Sequence, residues 1–166
     1  TDVITITVND AAEADVTAAN LSTLGGKTAG TVTVSNAVDI SGTASQLTAA
    51  LVTDSTKVVA STATATISDA AETDIAATVL SAIGAKTSGT VTATNAIDIS
   101  GSSAEVTAAL VTADTLVVAG TATVTITGNP SITDLNAIAA KTSGVVTATL
   151  AACLLYTSDA ADELLG

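Results

Sequence analysis

The chain has no histidine, arginine, methionine, tryptophan or phenylalanine, and only one cysteine, one tyrosine and one proline in 166 residues. Each absence closes a class of function. Without histidine, Ser-His-Asp and Cys-His catalysis are excluded, and a zinc site has no credible ligand set. Four basic residues against 16 acidic ones leave a formal net charge of -12. A nucleic-acid binder needs a basic stripe to neutralise phosphates, so that class falls away. An anionic membrane surface is disfavoured on the same ground. Apolar residues make up 48% of the chain but aromatics only 1%. Such a composition builds a thin core of Ala, Val, Ile and Leu, not a deep pocket with aromatic walls. Its apolar runs fall far short of the roughly 20 residues that a membrane span requires, so no membrane insertion is expected.

What is present is repetition. Thr31-Val-Thr-Val-Ser-Asn-Ala-Val-Asp-Ile-Ser-Gly42 returns 59 positions later as Thr90-Val-Thr-Ala-Thr-Asn-Ala-Ile-Asp-Ile-Ser-Gly101. Leu47-Thr-Ala-Ala-Leu-Val-Thr53 returns as Val106-Thr-Ala-Ala-Leu-Val-Thr112, and Gly26-Lys-Thr-Ala-Gly30 as Ala85-Lys-Thr-Ser-Gly89 and Ala140-Lys-Thr-Ser-Gly144. A fixed period marks a solenoid or array, whose units bury their apolar faces only against neighbours. Residues 1–149 read as this array and 150–166 as a non-repeat tail. Thr1 falls in mid-repeat, which suggests a piece of a longer array whose neighbours are further repeats of the same chain.

Each block divides into two strand-plus-helix halves of about 28 and 31 residues, long enough for the crossover between parallel neighbours. Thr121 to Thr127 alternates Thr with Ala122, Val124 and Ile126, the pattern of a half-buried strand, and Ile4 to Val8 and Ala63 to Ile67 match it. Asp69-Ala-Ala-Glu72, mirrored by Asp10-Ala-Ala-Glu13, reads as a capping box opening a helix of about four turns striped by Ile75, Val79, Leu80 and Ile83. In the second half Thr90 to Ser100 reads as one strand that Gly101 breaks. Ser102-Ser-Ala-Glu105 and Thr43-Ala-Ser-Gln46 read as further capping boxes. The run Leu116-Val-Val118 leads into the next strand. The third copy loses about four residues and restarts at Asn129-Pro130, an N-cap followed by Pro. The fold class expected is α/β, a β-α solenoid with one parallel sheet and a leucine-rich-repeat-like architecture.

The Thr-Val-Thr strands and capped Ala/Leu helices, punctuated by Lys-Thr-Ser-Gly and Asp-Ile-Ser-Gly, resemble the repeats of giant bacterial cell-surface proteins, such as those of marine cyanobacteria. The resemblance covers residues 1–149 and implies an extracellular or surface-displayed, adhesin-like array with no catalytic residues. The stretch Cys153-Leu-Leu-Tyr-Thr-Ser-Asp-Ala-Ala-Asp-Glu163 resembles translated sequencing-adapter read-through. The alternative is a natural capping segment.

The function expected is therefore a non-enzymatic structural or adhesive segment, with no cofactor and no metal. Two alternatives use the exposed strand face formed by Thr31, Thr33, Thr64, Thr66, Thr90, Thr92, Thr123 and Thr125. One is a receptor-like binding module. The other is an ice-binding array, since Thr at i and i+2 lie about 6.6–7 Å apart on strands about 4.8 Å apart. Helices on one side would curve such a face and spoil its flatness. Asn36 and Asn95 occupy inward strand positions and read as a structural ladder, their amides meeting backbone groups of stacked coils. Asp39 and Asp98 read as outward residues of equivalent strands about 9–10 Å apart. That is too wide to share one ion, so calcium is expected to act only as a weak screening ion. Gly25-Gly-Lys27-Thr28 lacks the first glycine of a phosphate loop, because Leu21 stands there.

Overall fold

The computed structural model describes residues 3–112 and 116–150. Within them the chain is α/β, with three parallel sheets and strand-helix units that alternate along the sequence. The elements are β1 (Ile6–Val8), β2 (Asp15–Thr17), α1 (Ala18–Gly25), β3 (Val32–Val34), β4 (Asp39–Gly42), α2 (Ala44–Leu47) and β5 (Val58–Val59). They continue as β6 (Thr64–Ile67), β7 (Asp74–Ala76), α3 (Ala77–Gly84), β8 (Val91–Ala93), β9 (Asp98–Ser102) and α4 (Ser103–Leu110). The series closes with β10 (Val117–Val118), β11 (Thr123–Thr127), α5 (Ile132–Ala139) and β12 (Val146–Ala148). A π-helical segment, Thr48–Val52, follows α2 directly.

Among the described strands only β11 and β12 pair with their neighbour in sequence, and every other pairing skips a strand. Residues opposite each other in the pairs lie 22 to 26 positions apart, in the orders β1-β3-β5, β2-β4-β6-β8-β10 and β7-β9-β11-β12. A 59-residue block therefore spans two such steps plus one additional short strand. That extra strand shifts the pairing sideways. A block's first, third and fifth strands share one sheet, and its second and fourth open the next. The single sheet expected from the repeats is in fact three.

The core follows from the alternation. Ile40 lies between Val16 and Ala65 across the middle sheet, and Ile99 between Ile75 and Val124 across the third. Ile40, Leu47, Ile67, Leu80, Ile83 and Ile97 are wholly buried. Each such side chain contributes about 1.5–3 kcal/mol of transfer free energy. Alanines fill the gaps, with Ala18, Ala77, Ala109 and Ala122 also fully covered.

Four local expectations are corrected. Asp69-Ala-Ala-Glu72 opens no helix. Glu13 and Glu72 adopt left-handed φ of 66° and 63°, their amides donate to the carbonyls of Ala37 and Ala96 at 2.8 Å, and the chain turns a corner into β2 or β7. The helix starts only after that strand, so α3 is two turns long and Ile75 is a strand residue. Thr90 to Ser100 is two strands with a bend at Asn95, and Gly101 lies inside β9 instead of ending it. The cap of α5 is Ser131, whose hydroxyl accepts from the Asp134 amide at 3.1 Å, and Asn129-Pro130 precede it. The capping boxes at Thr43/Gln46 and Ser102/Glu105 are both formed. The run Leu116–Val118 yields a strand of its own, β10. Cys153 and Tyr156 lie outside the described residues.

Candidate functional site

The outward residues of the strands form the widest regular surface. Across the middle sheet Thr17, Ser41, Thr66, Thr92 and Val118 stand in register, and Asp15, Asp39 and Thr64 form the next row. The third sheet repeats this with Ser100, Thr125 and Thr147 in one row and Asp74, Asp98 and Thr123 in the other. The eight threonines expected on one face are thus divided. Thr33 is in the first sheet, Thr64, Thr66 and Thr92 in the second, and Thr123 and Thr125 in the third. Thr31 and Thr90 sit one residue before β3 and β8 and are exposed.

Asp39 and Asp98 are corrected by the same register. They lie in different sheets, and each faces its partner on the adjacent strand, Asp15 or Asp74. On its other side Asp39 accepts from the hydroxyls of Thr64 at 2.9 Å and Thr66 at 3.0 Å, and Asp98 accepts from Thr123. These carboxylates are tied to the threonines beside them, so the surface is a hydrogen-bonded hydroxyl-carboxylate lattice rather than a run of free hydroxyls. Among the described residues no group of three or more Asp, Glu or Cys side chains converges on a metal position.

Asn36 and Asn95 are not inward strand positions. They stand at the bends, Asn36 half-buried and Asn95 exposed. Their Nδ2 atoms donate to the carbonyls of Asp10 and Asp69 at 2.6 Å, residues 26 positions upstream. Each asparagine bridges to its own neighbouring corner, and the two do not stack on one another.

The Lys-Thr-Ser-Gly motif carries a role that sequence reasoning missed. Thr28, Thr87 and Thr142 each accept from the amide of the glycine two residues on, at 2.9–3.0 Å. Each donates its hydroxyl to a carbonyl of the preceding turn of chain: Thr28 to Ile4, Thr87 to Ala63 and Thr142 to Ala122. Ser88 and Ser143 add a hydroxyl bond of 2.9 Å and an amide bond of 2.8 Å to Ser61 and Gly120. The glycine is required by packing. A Cβ on Gly89 would lie 2.2 Å from the Ala63 carbonyl oxygen, and Gly30 and Gly144 are hemmed in the same way. The threefold return of Thr-x-Gly was the available signal.

At the start of α4, Glu105 accepts from the Ser102 amide at 2.7 Å and the Ser102 hydroxyl at 2.9 Å. These two bonds, the amide first, hold the exposed carboxyl below its ordinary pKa, against a small opposing effect of burial. No helix among the described residues is long and apolar enough to cross a membrane. Comparison with protein-family models, curated proteins and solved structures finds no match to this chain.

Proposed function

We propose that the chain is a β-α solenoid segment that serves a structural or adhesive role in a large secreted or surface-displayed protein. The observation that carries this reading is the use made of the repeated polar residues. Thr28, Thr87, Thr142, Asn36 and Asn95 each donate a hydrogen bond to a backbone carbonyl 20 to 26 residues away. In a solenoid, side chains of this kind hold one coil on the next, and stability becomes a sum over nearest neighbours.

The reading has a direct test. Removing Thr64 to Ala122, one whole block, should leave a folded, shorter rod with a cooperative melt and near-unchanged circular dichroism per residue. Global unfolding of that deletion variant defeats the proposal. The ice-binding reading draws less support, because the hydroxyls of Thr64, Thr66 and Thr123 are bonded to carboxylates and the threonines are spread over three sheets.

A further inference from the structure

The first strands of successive blocks, β1, β6 and β11, have equivalent positions but unequal surroundings. β6 lies on β4, with Ile40 opposite Ala65 and Gly42 opposite Ile67. The Thr64 amide donates to the Val38 carbonyl at 2.9 Å and the Ser68 amide to Gly42 at 2.9 Å, while Asp69 Oδ2 accepts from the Ala44 amide at 2.6 Å. In this way Asp69 caps α2, a helix of another turn of the chain. β11 lies on β9 in the same manner, the Thr123 amide donating to Ile97 at 3.0 Å.

β1 carries the same pattern of groups, with Thr5, Asn9 and Asp10 standing where Thr64, Ser68 and Asp69 stand one block later. It is nevertheless an edge strand, paired only with β3. The difference shows in exposure. Ile4 is 56% exposed where Ala63 and Ala122 are 1% and 0%. Ile6 and Val8 are half-buried where Ala65, Ile67, Val124 and Ile126 are buried, and Asp10 is exposed. A groove of about 510 Å³ runs along this side, from Ile6 to Asp10, past Val16, to Leu21 and Leu24.

We propose that this groove is a docking site for one kind of polypeptide segment: an extended Asp-Ile-Ser-Gly-(Thr/Ser)-(Ala/Ser) strand that runs on into a helix. The strand adds in parallel to β1, and its helix N-terminus receives the Asp10 carboxylate as a cap. The inference rests on the solenoid reading, and it continues an interface that the chain already forms twice. The occupant follows from the chemistry of those two interfaces. At both, an isoleucine lies opposite a first-strand core residue, Ile40 on Ala65 and Ile99 on Val124, and at the first a helix amide meets an acid, Ala44 on Asp69.

The probe is the peptide Asn36–Thr53 of this chain, titrated into the ¹⁵N-labelled protein. Saturable shifts are expected at Thr5 to Asp10, Asn20 and Leu24. Asp10→Ala should weaken binding roughly fivefold, the effect of one lost helix cap. A peptide carrying Ile40→Asp should not bind. Shifts confined to β12, or an affinity indifferent to both substitutions, overturn the proposal, and so does an absence of saturable shifts. Because a short peptide pays the cost of ordering, a second measurement is decisive: residues 36–59 joined ahead of Thr1, which keeps the block register, should raise the melting temperature. An unchanged melting temperature also overturns it. The block-deletion experiment reads the solenoid itself, so failure here with a folded deletion variant removes the docking site alone.

Discussion

Two helix starts that are nearly identical in sequence behave differently. Thr43 to Thr53 opens α2, and Ser102 to Thr112 opens α4, with the same capping box in each. At the first start Asp69 reaches across to cap Ala44, and Thr48 Oγ1 donates to the Ala44 carbonyl at 2.8 Å. At the second, the residue in the place of Asp69 is Gly128, at φ +81°, which brings no carboxylate. There the hydroxyl oxygens of Ser103 and Thr107 are buried without a partner among the described residues. The difference teaches that a helix start in this chain takes one cap from its own strand and another from a different turn. Where the repeat shortens, only the first survives.

The largest expected effect lies outside both helix starts, at the close approach of Gly89 to Ala63 that precedes β8. Gly89→Ala forces a Cβ into the Ala63 carbonyl and should cost about 3 kcal/mol, read as a lowered denaturant midpoint. Gly120→Ala meets nothing within 4 Å and should stay within about 0.5 kcal/mol of the parent. Equal effects from the two would show that the close approach is not real.

The junctions themselves come next. Asp69→Ala should destabilise by about 1 kcal/mol through loss of the cap on α2. Thr107→Val replaces an unpartnered buried hydroxyl with a methyl and should be neutral or stabilising, whereas Thr48→Val loses a bond worth roughly 1 kcal/mol. Urea melts of the three variants settle the order, and a destabilised Thr107→Val would mean its hydroxyl has a partner after all.

The smallest effect separates the two capping boxes by pH. Glu105 has a lowered folded-state pKa, so its contribution is present above the ordinary carboxylate range and is lost as pH falls through the lower, folded value. Gln46 in the other box does not titrate. Amide protection, taken against the intrinsic exchange rate at each pH, should therefore fall in acid more at the start of α4 than at the start of α2, and Glu105→Gln should abolish the contrast.

Much of this was legible in the sequence and some was not, for physical reasons. The period, the alternation in Thr121 to Thr127 and the two Ser/Thr-x-x-Glu/Gln boxes are local signals, and the structure forms each of them. Asp69-Ala-Ala-Glu72 has the same local grammar yet makes a corner. Its helix-capping oxygen serves a helix 25 residues upstream, and only tertiary register decides that. Asn95 falls on the inward phase of a continuous alternation, but a bend at that residue turns it outward. The hydroxyl-carboxylate lattice was hidden because Asp39 and Thr64 meet through a 25-residue offset that the 59-residue period does not contain.

The sideways hand-over at each block also governs growth. The middle sheet begins with a block's second strand and ends with the next block's fifth, five strands in all. A chain that keeps this rule lengthens by founding new sheets, and no sheet becomes wider. Edges stay short, and the two-residue β5 and β10 end theirs at the moment the chain departs sideways. Short terminal strands of this sort are poor templates for unwanted lateral pairing, so the block plan carries its own brake on fibril formation.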